Sequence, residues 1–298
     1  MNKRGNKLLL GLLVVVMILA GGLAYWFLNT IGLSHSEEYV HIRGISANSY
    51  LLKKRGGPVI NQKNPQKKIA IASLTKIMTA LCVIEEAENL DQLTVVPEEI
   101  FFELQKNNLA VAGLQPGEEI SYRELLYGIL LPSGADATLT AVLSLSESEE
   151  AFVFKMNKKA TDLGMAQTHF SNTVGLDASD HYSTTGDLAI LLDYALDNAV
   201  FYQVFTSLTY QGEPTNFHPE GNFFTSSMIN RGESLALSNG QIIGGKTGYT
   251  KKAGLCLASL AEINGEEYLL ILAGSKGDSE SEQFNLIESR KLYEESLL

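Results

Sequence analysis

Hydrophobic and polar positions divide the chain into three regimes. From Leu8 to Leu28 no residue is charged. At about 1.5 Å per residue such a run spans roughly 30 Å, the hydrocarbon core of a bilayer. Through the middle of the chain apolar residues recur at helical spacing, as Ile77, Met78, Leu81 and Ile84 do, so that one face of the helix turns to a core. After Gly240 they bunch into short runs between turn residues, the pattern of strands.

Residues 41–52 and 59–62 read as strands around the turn Lys54-Arg55-Gly56-Gly57-Pro58. A helix is predicted over 69–87, with Ser73 in its first turn. A region of short elements follows from Leu93, and residues 107–113 read as loop. Ser121 and Glu124 form a capping box for a helix that ends at Pro132. Beyond the turn at Pro132-Ser133-Gly134-Ala135-Asp136, helices are predicted over 136–146, 150–163 and 185–199, the second ended by Gly164 and the third capped by Ser183, Thr184 and Thr185. Strands follow over 241–247, 255–263 and 267–274, the last two joined by the hairpin dipeptide Asn264-Gly265. A polar amphipathic helix over 279–297 closes the chain. Strands at both ends with helices between them predict an α+β fold, a single sheet built from both chain ends with a helical insert beside it.

Lys3, Arg4 and Lys7 precede the apolar run, which would leave the N-terminus in the cytoplasm and the remaining chain outside. Tyr25, Trp26 and Phe27 border the run as interfacial aromatics do, so residues 1–34 are expected to be a cytoplasmic tip and transmembrane anchor. A cleaved signal peptide, with Gly22 and Ala24 near the cut, is the alternative. Three of the 23 basic residues fall in those 34, leaving 20 against 34 acidic ones. An acidic exterior argues against nucleic acid as a partner. Cys82 and Cys256 both lie in apolar stretches and read as small buried residues, with a disulfide between them left open. His169, His181 and His218 follow no metal-ligand spacing, so no metal or cofactor is expected. His181 is expected to stabilise the loop before the helix at Thr185, and Asp162, Asp177 and Asp187 to serve as caps or turn residues.

Three separated pieces carry chemistry. Ser73 and Lys76 stand nearly one helical turn apart, where an amine with suppressed charge can take the proton of a hydroxyl that is otherwise a weak nucleophile. Ser133, in the turn after Pro132, supplies a second hydroxyl for proton relay. Lys246 and Thr247 on a strand offer a charge and a donor for a carboxylate, and Gly248 would leave room for a ligand backbone along that strand.

Together these pieces match the motif set of penicillin-binding proteins and class A β-lactamases. From Ala72 to Gly274 the chain resembles the serine D-alanyl-D-alanine carboxypeptidases, the low-molecular-mass penicillin-binding proteins. The blocks AlaSerLeuThrLysIleMetThrAla, LeuLeuTyrGlyIleLeuLeuProSerGly, MetAsnLysLysAlaThrAspLeuGlyMet and GlyGlyLysThrGlyTyrThr stand in family order, covering about two thirds of the chain. The resemblance implies the penicillin-binding and β-lactamase-like transpeptidase fold over residues 35–298. It implies Ser73 as the acylated nucleophile, Lys76 as its base, Ser133 as the relay, and Lys246 and Thr247 as the carboxylate site. Backbone N–H groups of Ser73 and Tyr249 would form the oxyanion hole. Lys246 would also help to keep Lys76 neutral. The implied substrate is a peptidoglycan stem peptide ending in D-Ala-D-Ala, with β-lactams as covalent inhibitors and the membrane as a further partner.

Two departures qualify that resemblance. The family's second motif is Ser-x-Asn, and here its third position is Ala135. Asn107 or Asn108 would have to supply the missing amide, and an impaired homologue that only binds peptidoglycan or β-lactam is the alternative function. Second, about 24 residues follow Gly274, room for one helix, so the membrane anchor is expected at the N-terminus rather than after the catalytic domain. A β-lactamase is disfavoured because no matching Glu block is present.

Overall fold

Six antiparallel strands form the central sheet of this computed structural model, which describes residues 39–230 and 232–297. The apolar run from Leu8 to Leu28 lies outside them. Among the described residues no single helix is long and apolar enough to cross a membrane. The strands are β1 (Ser49–Lys54), β2 (Val59–Lys63), β7 (Ala236–Leu237), β8 (Gly240–Thr250), β9 (Gly254–Ile263) and β10 (Glu266–Ser275). Their spatial order is β2-β1-β10-β9-β8-β7, so the first strands pair directly with the last, Ser49 opposite Ala273 and Lys54 opposite Tyr268. The sheet is therefore built from both chain ends.

Alternation explains why β10 is apolar throughout. Leu269, Ile271 and Ala273 belong to the large core shared with the helices, while Leu270 and Leu272 belong to a second core on the other face. Successive side chains of a strand point to opposite sides, so a strand covered on both needs apolar residues at every position. The second core is closed by the C-terminal helix, Phe284–Ser296, through Leu292 and the fully buried Tyr293. Its phenol meets the Ser259 hydroxyl at 3.0 Å, so the buried polar end is satisfied. Asn264 and Gly265, both at positive φ (54° and 78°), make the tight turn between β9 and β10 that their sequence predicts.

The helices on the large core are α1 (Thr75–Glu86), α2 (Ile100–Lys106), α3 (Tyr122–Leu130), α4 (Ala135–Leu145), α5 (Glu149–Asp162), α6 (Thr185–Leu196) and α7 (Ala199–Phe205). The two-stranded pieces β3 (Leu93–Val95) with β4 (Glu119–Ser121), and β5 (Thr209–Gln211) with β6 (Phe223–Thr225), flank them. Ser121 caps α3 as expected, its hydroxyl accepting the Glu124 N–H at 3.2 Å.

Several boundaries differ from expectation. Residues 41–48 are not a strand: the Ser46 and Ala47 N–H groups go to the Glu288 carboxylate on the last helix instead of to a neighbouring strand. The helix expected to reach 199 stops at Leu196, because Asn198 turns the chain and caps a new helix by accepting the Val200 and Phe201 N–H groups. The final helix starts at Phe284 rather than 279, since Asp278 and Ser281 tie the preceding stretch into a local turn.

Candidate active site

A cleft of about 600 Å³ brings the separated motifs together, with Ser73, Lys76, Ser133, Thr247, Gly248 and Tyr249 among its lining. Ser73 does not stand in the first turn of α1 but just ahead of it, in a short 3-10 turn, Ala72–Leu74. Ala72 has φ +47°, a left-handed conformation that non-glycine residues adopt at a cost of about 1–3 kcal/mol. The turn is pinned from two sides. A Cβ on Gly175 would lie 2.0 Å from the Ala72 carbonyl oxygen, so only glycine lets that loop backbone approach so closely. One on Gly248 would lie 3.1 Å from the Ser73 nitrogen and 3.2 Å from the Ala72 Cβ. The missing side chain of Gly248 thus lets the Ala72–Leu74 turn seat against β8.

Lys76 is buried, its amine 3.4 Å from the Ser73 hydroxyl and donating to the Val174 carbonyl at 2.7 Å. Burial lowers its pKa to about 7, with the Asp136 carboxylate pulling the other way. Lys246, fully buried on β8, donates to the Thr247 carbonyl at 2.7 Å. Burial first, and the Lys76 charge second, hold it well below the ordinary lysine range. Desolvation is thus the first cause of the lowered pKa in both lysines.

Ser133 sits at φ +67°, its hydroxyl buried and without a hydrogen-bond partner among the described residues. A strained residue carrying an unmet polar group is costly to keep, and such costs gather where a ligand supplies the partner. Ala135, buried, opens α4 and donates its N–H to the Ala110 carbonyl at 2.8 Å. Buried Asp136 beside it accepts the N–H groups of Ala112, Gly113 and Leu114 at 2.7, 2.9 and 3.1 Å, fixing the 110–114 loop against the helix start. Asn107 and Asn108 both line the cleft. The Asn107 amide is taken up by Glu103, whereas Asn108 is exposed at φ +48°.

The family model for D-alanyl-D-alanine carboxypeptidases matches residues 35–276. The chain belongs to that family. Among its relatives, D-alanyl-D-alanine carboxypeptidase DacF of Bacillus subtilis is 32% identical over 234 residues, covering 77% of this chain but 57% of its own length. DacC of Escherichia coli is 30% identical over 286 residues, covering 92% of this chain and 67% of its own length. In structure the carboxypeptidase-family unit is similar to the Streptomyces K15 DD-transpeptidase, with a TM-score of 0.77, 26% identity, and coverage of 87% of this chain and 99% of that one.

Other residues reach the cleft without any local sequence signal. Ser227 is one, its hydroxyl 2.5 Å from that of Thr247; nothing in Phe224-Thr225-Ser226-Ser227-Met228 marks it out. The Val174 carbonyl is another, invisible because any residue carries one. Cys82 and Cys256 are both buried and free, so no disulfide joins them. Asp187 accepts from the Gln167 N–H and the Thr168 hydroxyl, Asp177 from the Thr250 hydroxyl, and Asp162 pairs with Lys158. These are tertiary and intrahelical contacts rather than the cap and turn roles expected of them; the helix at Thr185 is capped by Thr184, whose hydroxyl accepts the Asp187 N–H. Among the described residues no group of three or more His, Cys, Asp or Glu could hold a metal. His181 ties the loop before the helix at Thr185, as expected, and bonds in addition to Thr75 at the start of α1.

Proposed function

We propose that the chain is a serine D-Ala-D-Ala carboxypeptidase that removes the terminal D-alanine of peptidoglycan stem peptides through an acyl-enzyme on Ser73, and that β-lactams acylate the same serine. The observation that carries this is Lys76, a buried amine whose pKa is lowered to about 7, 3.4 Å from the Ser73 hydroxyl. The substrate's terminal carboxylate docks on Lys246, Thr247 and Ser227. A negative charge there favours the protonated form of Lys246, and that charge in turn disfavours a proton on Lys76. Ser73 attacks the carbonyl of the penultimate D-alanine as Lys76 takes its proton, and the oxyanion is held by the Ser73 and Tyr249 N–H groups. Ser133, with its hydroxyl free of other partners, relays that proton to the nitrogen of the departing D-alanine. Water then attacks the ester, giving a proton to Lys76, and Lys76 returns it to the Ser73 oxygen as the C–O bond breaks and the shortened peptide leaves with a new carboxylate.

The structural relative is named a DD-transpeptidase, in which an amine would take the place of that water. The acylation step is common to both outcomes. On the same reading residues 1–34 tether the enzyme to the membrane through Leu8 to Leu28, with the catalytic unit outside; support for this is the uncharged run and its basic N-terminal flank.

Intact mass of the full chain after incubation with benzylpenicillin, and D-alanine release from a diacyl-D-Ala-D-Ala peptide, test the proposal. A single penicilloyl adduct on Ser73 together with released D-alanine is expected. An adduct without release would make the chain a penicillin-binding homologue lacking carboxypeptidase activity, and no adduct would overturn the assignment of Ser73.

A further inference from the structure

Behind the nucleophile and its base stands one imidazole that the mechanism above does not use. His181 is 3% exposed. Its Nδ1 accepts the Ser171 N–H at 3.0 Å, and the Asn172 amide nitrogen lies 3.4 Å from the same atom. Both neighbours are N–H donors, so Nδ1 carries no proton and the ring hydrogen sits on Nε2. Nε2 lies 2.8 Å from the Thr75 hydroxyl and donates to it. Thr75 then has one direction left for its own hydrogen, and it donates to the Ala72 carbonyl at 2.8 Å.

Both ends of this chain reach the reacting groups. Ala72 is the left-handed residue immediately before Ser73, and its carbonyl is the atom against which Gly175 packs. Ser171 opens the loop whose Val174 carbonyl takes the Lys76 amine at 2.7 Å. That loop has further ties: Asn172 Oδ1 accepts from Gly175 and Leu176, and Glu149 accepts from the Thr173 N–H and hydroxyl. His181 alone among these side chains bonds both to the loop and to the nucleophile segment.

We propose that His181 is a positioning residue for acyl transfer: its neutral imidazole, protonated on Nε2 and open on Nδ1, ties the Ala72–Thr75 turn that aims Ser73 to the Ser171–Val174 loop that aims Lys76. It does not line the cleft and touches neither substrate nor reacting atoms. A neutral Lys76 amine has two hydrogens and one lone pair. Spending one hydrogen on the Val174 carbonyl turns the lone pair toward a fixed direction, and His181 sets that direction relative to the Ser73 hydroxyl. Burial pushes the His181 pKa down to about 4, with Asp180 and Asp177 raising it and His169 and Lys252 lowering it. The neutral tautomer therefore persists through the range in which Lys76 titrates.

This inference rests on Ser73 and Lys76 acting as described under the proposed function. Its test is a double-mutant cycle in the full chain on Thr75→Val and His181→Phe, read as the second-order rate of benzylpenicillin acylation with melting temperature measured alongside. Each single substitution is expected to slow acylation about 30-fold, and the double variant no more than about threefold further, because the second change breaks a chain already broken. Thr75→Ser keeps the hydroxyl and should stay within about threefold of the wild type. Weakening the Val174 contact removes a carbonyl that favours the ammonium, so the acidic limb of the rate profile should move to lower pH in His181→Phe. Effects that multiply in the double variant, or equal rates for Thr75→Ser and Thr75→Val, would overturn the inference. If His181→Phe does not fold, the two Thr75 variants decide it alone. Failure of the wild type itself to form an adduct on Ser73 would count against the proposed function, whereas a normal adduct with independent variant effects counts against His181 only.

Discussion

Two clefts open at opposite ends of β9, and the larger is not the one with chemistry. The cleft beside Glu262 encloses about 810 Å³ against about 600 Å³ for the one beside Leu255. In the larger, each cation among the lining has a counter-ion. Lys53 pairs with Asp193, Lys54 with Glu266 at 2.7 Å, and Arg55 with Glu267 and Asp197 at 2.5 and 3.2 Å, while its guanidinium also lies over the Tyr202 ring. In the smaller, Lys76 is buried with a backbone carbonyl rather than a carboxylate as its close acceptor, as is Lys246 beside the lining residue Thr247, and among the described residues the Ser133 hydroxyl has no partner. Satisfied charges stabilise a surface and ask for nothing more. Unmet ones, kept buried at a cost in stability, are the mark of a site completed by its ligand.

The strongest way to break this contrast is Ser73→Ala. Removing the nucleophile should abolish the penicilloyl adduct and lower D-alanine release by on the order of a thousandfold or more, with an unchanged fold. An adduct persisting in Ser73→Ala by intact mass would mean that another residue reacts.

Lys246→Ala comes next. Loss of a buried, charge-assisted contact to the substrate carboxylate is expected to lower kcat/KM for the peptide about 100-fold. A peptide amide lacking that carboxylate should be a poor substrate for wild type and variant alike. If the variant loses equally on both, Lys246 does not read the carboxylate.

The pH profile of acylation probes Lys76. Only the neutral amine can take the Ser73 proton, and its pKa stands at about 7. The rate should therefore be near its plateau above pH 8 and fall tenfold per pH unit well below 7. A flat profile between pH 5.5 and 8 would show that Lys76 is not the base.

Ala135→Asn sharpens the comparison from the other direction, by adding a polar group at the buried start of α4, close in the chain to Ser133. If the absent amide is only a lost contact, D-alanine release should rise about tenfold. A slower, still folded variant would instead place the 107–114 loop, and Asn108 in particular, in the role of the family's Asn.

Arg55→Ala gives the smallest effect. Its ion pairs are partly exposed, so stability should fall by about 1 kcal/mol or less, measured by denaturant midpoint, and acylation should stay within about twofold. A large loss of activity would mean that the two clefts are coupled.

The periodicity of apolar residues was enough to read the order of the main strands and helices, and the Asn264-Gly265 dipeptide located one turn to the residue. Ser73, Lys76, Ser133 and Lys246 could be singled out in the sequence because hydroxyls and amines are side-chain chemistries that stand in recognisable motifs, and the structure brings the first three to one cleft. Elements set by single capping contacts were not: the break at Asn198 depends on whether one side chain accepts two N–H groups, which alternative backbones could equally provide.

What the sequence by itself determined was which atoms are available for acyl transfer and roughly which elements carry them. Only the tertiary structure decided how those atoms are poised. Desolvation of Lys76, the orphaned hydroxyl of Ser133, the Val174 carbonyl, the wedge of Gly175 against Ala72 and the bridge through His181 all depend on distant segments meeting in space, 98 residues apart for Lys76 with Val174 and 106 for Thr75 with His181. Local sequence encodes local conformation and side-chain type. Dielectric environment, hydrogen-bond satisfaction and close backbone approach are properties of the packed interior, and they exist only once the chain has folded.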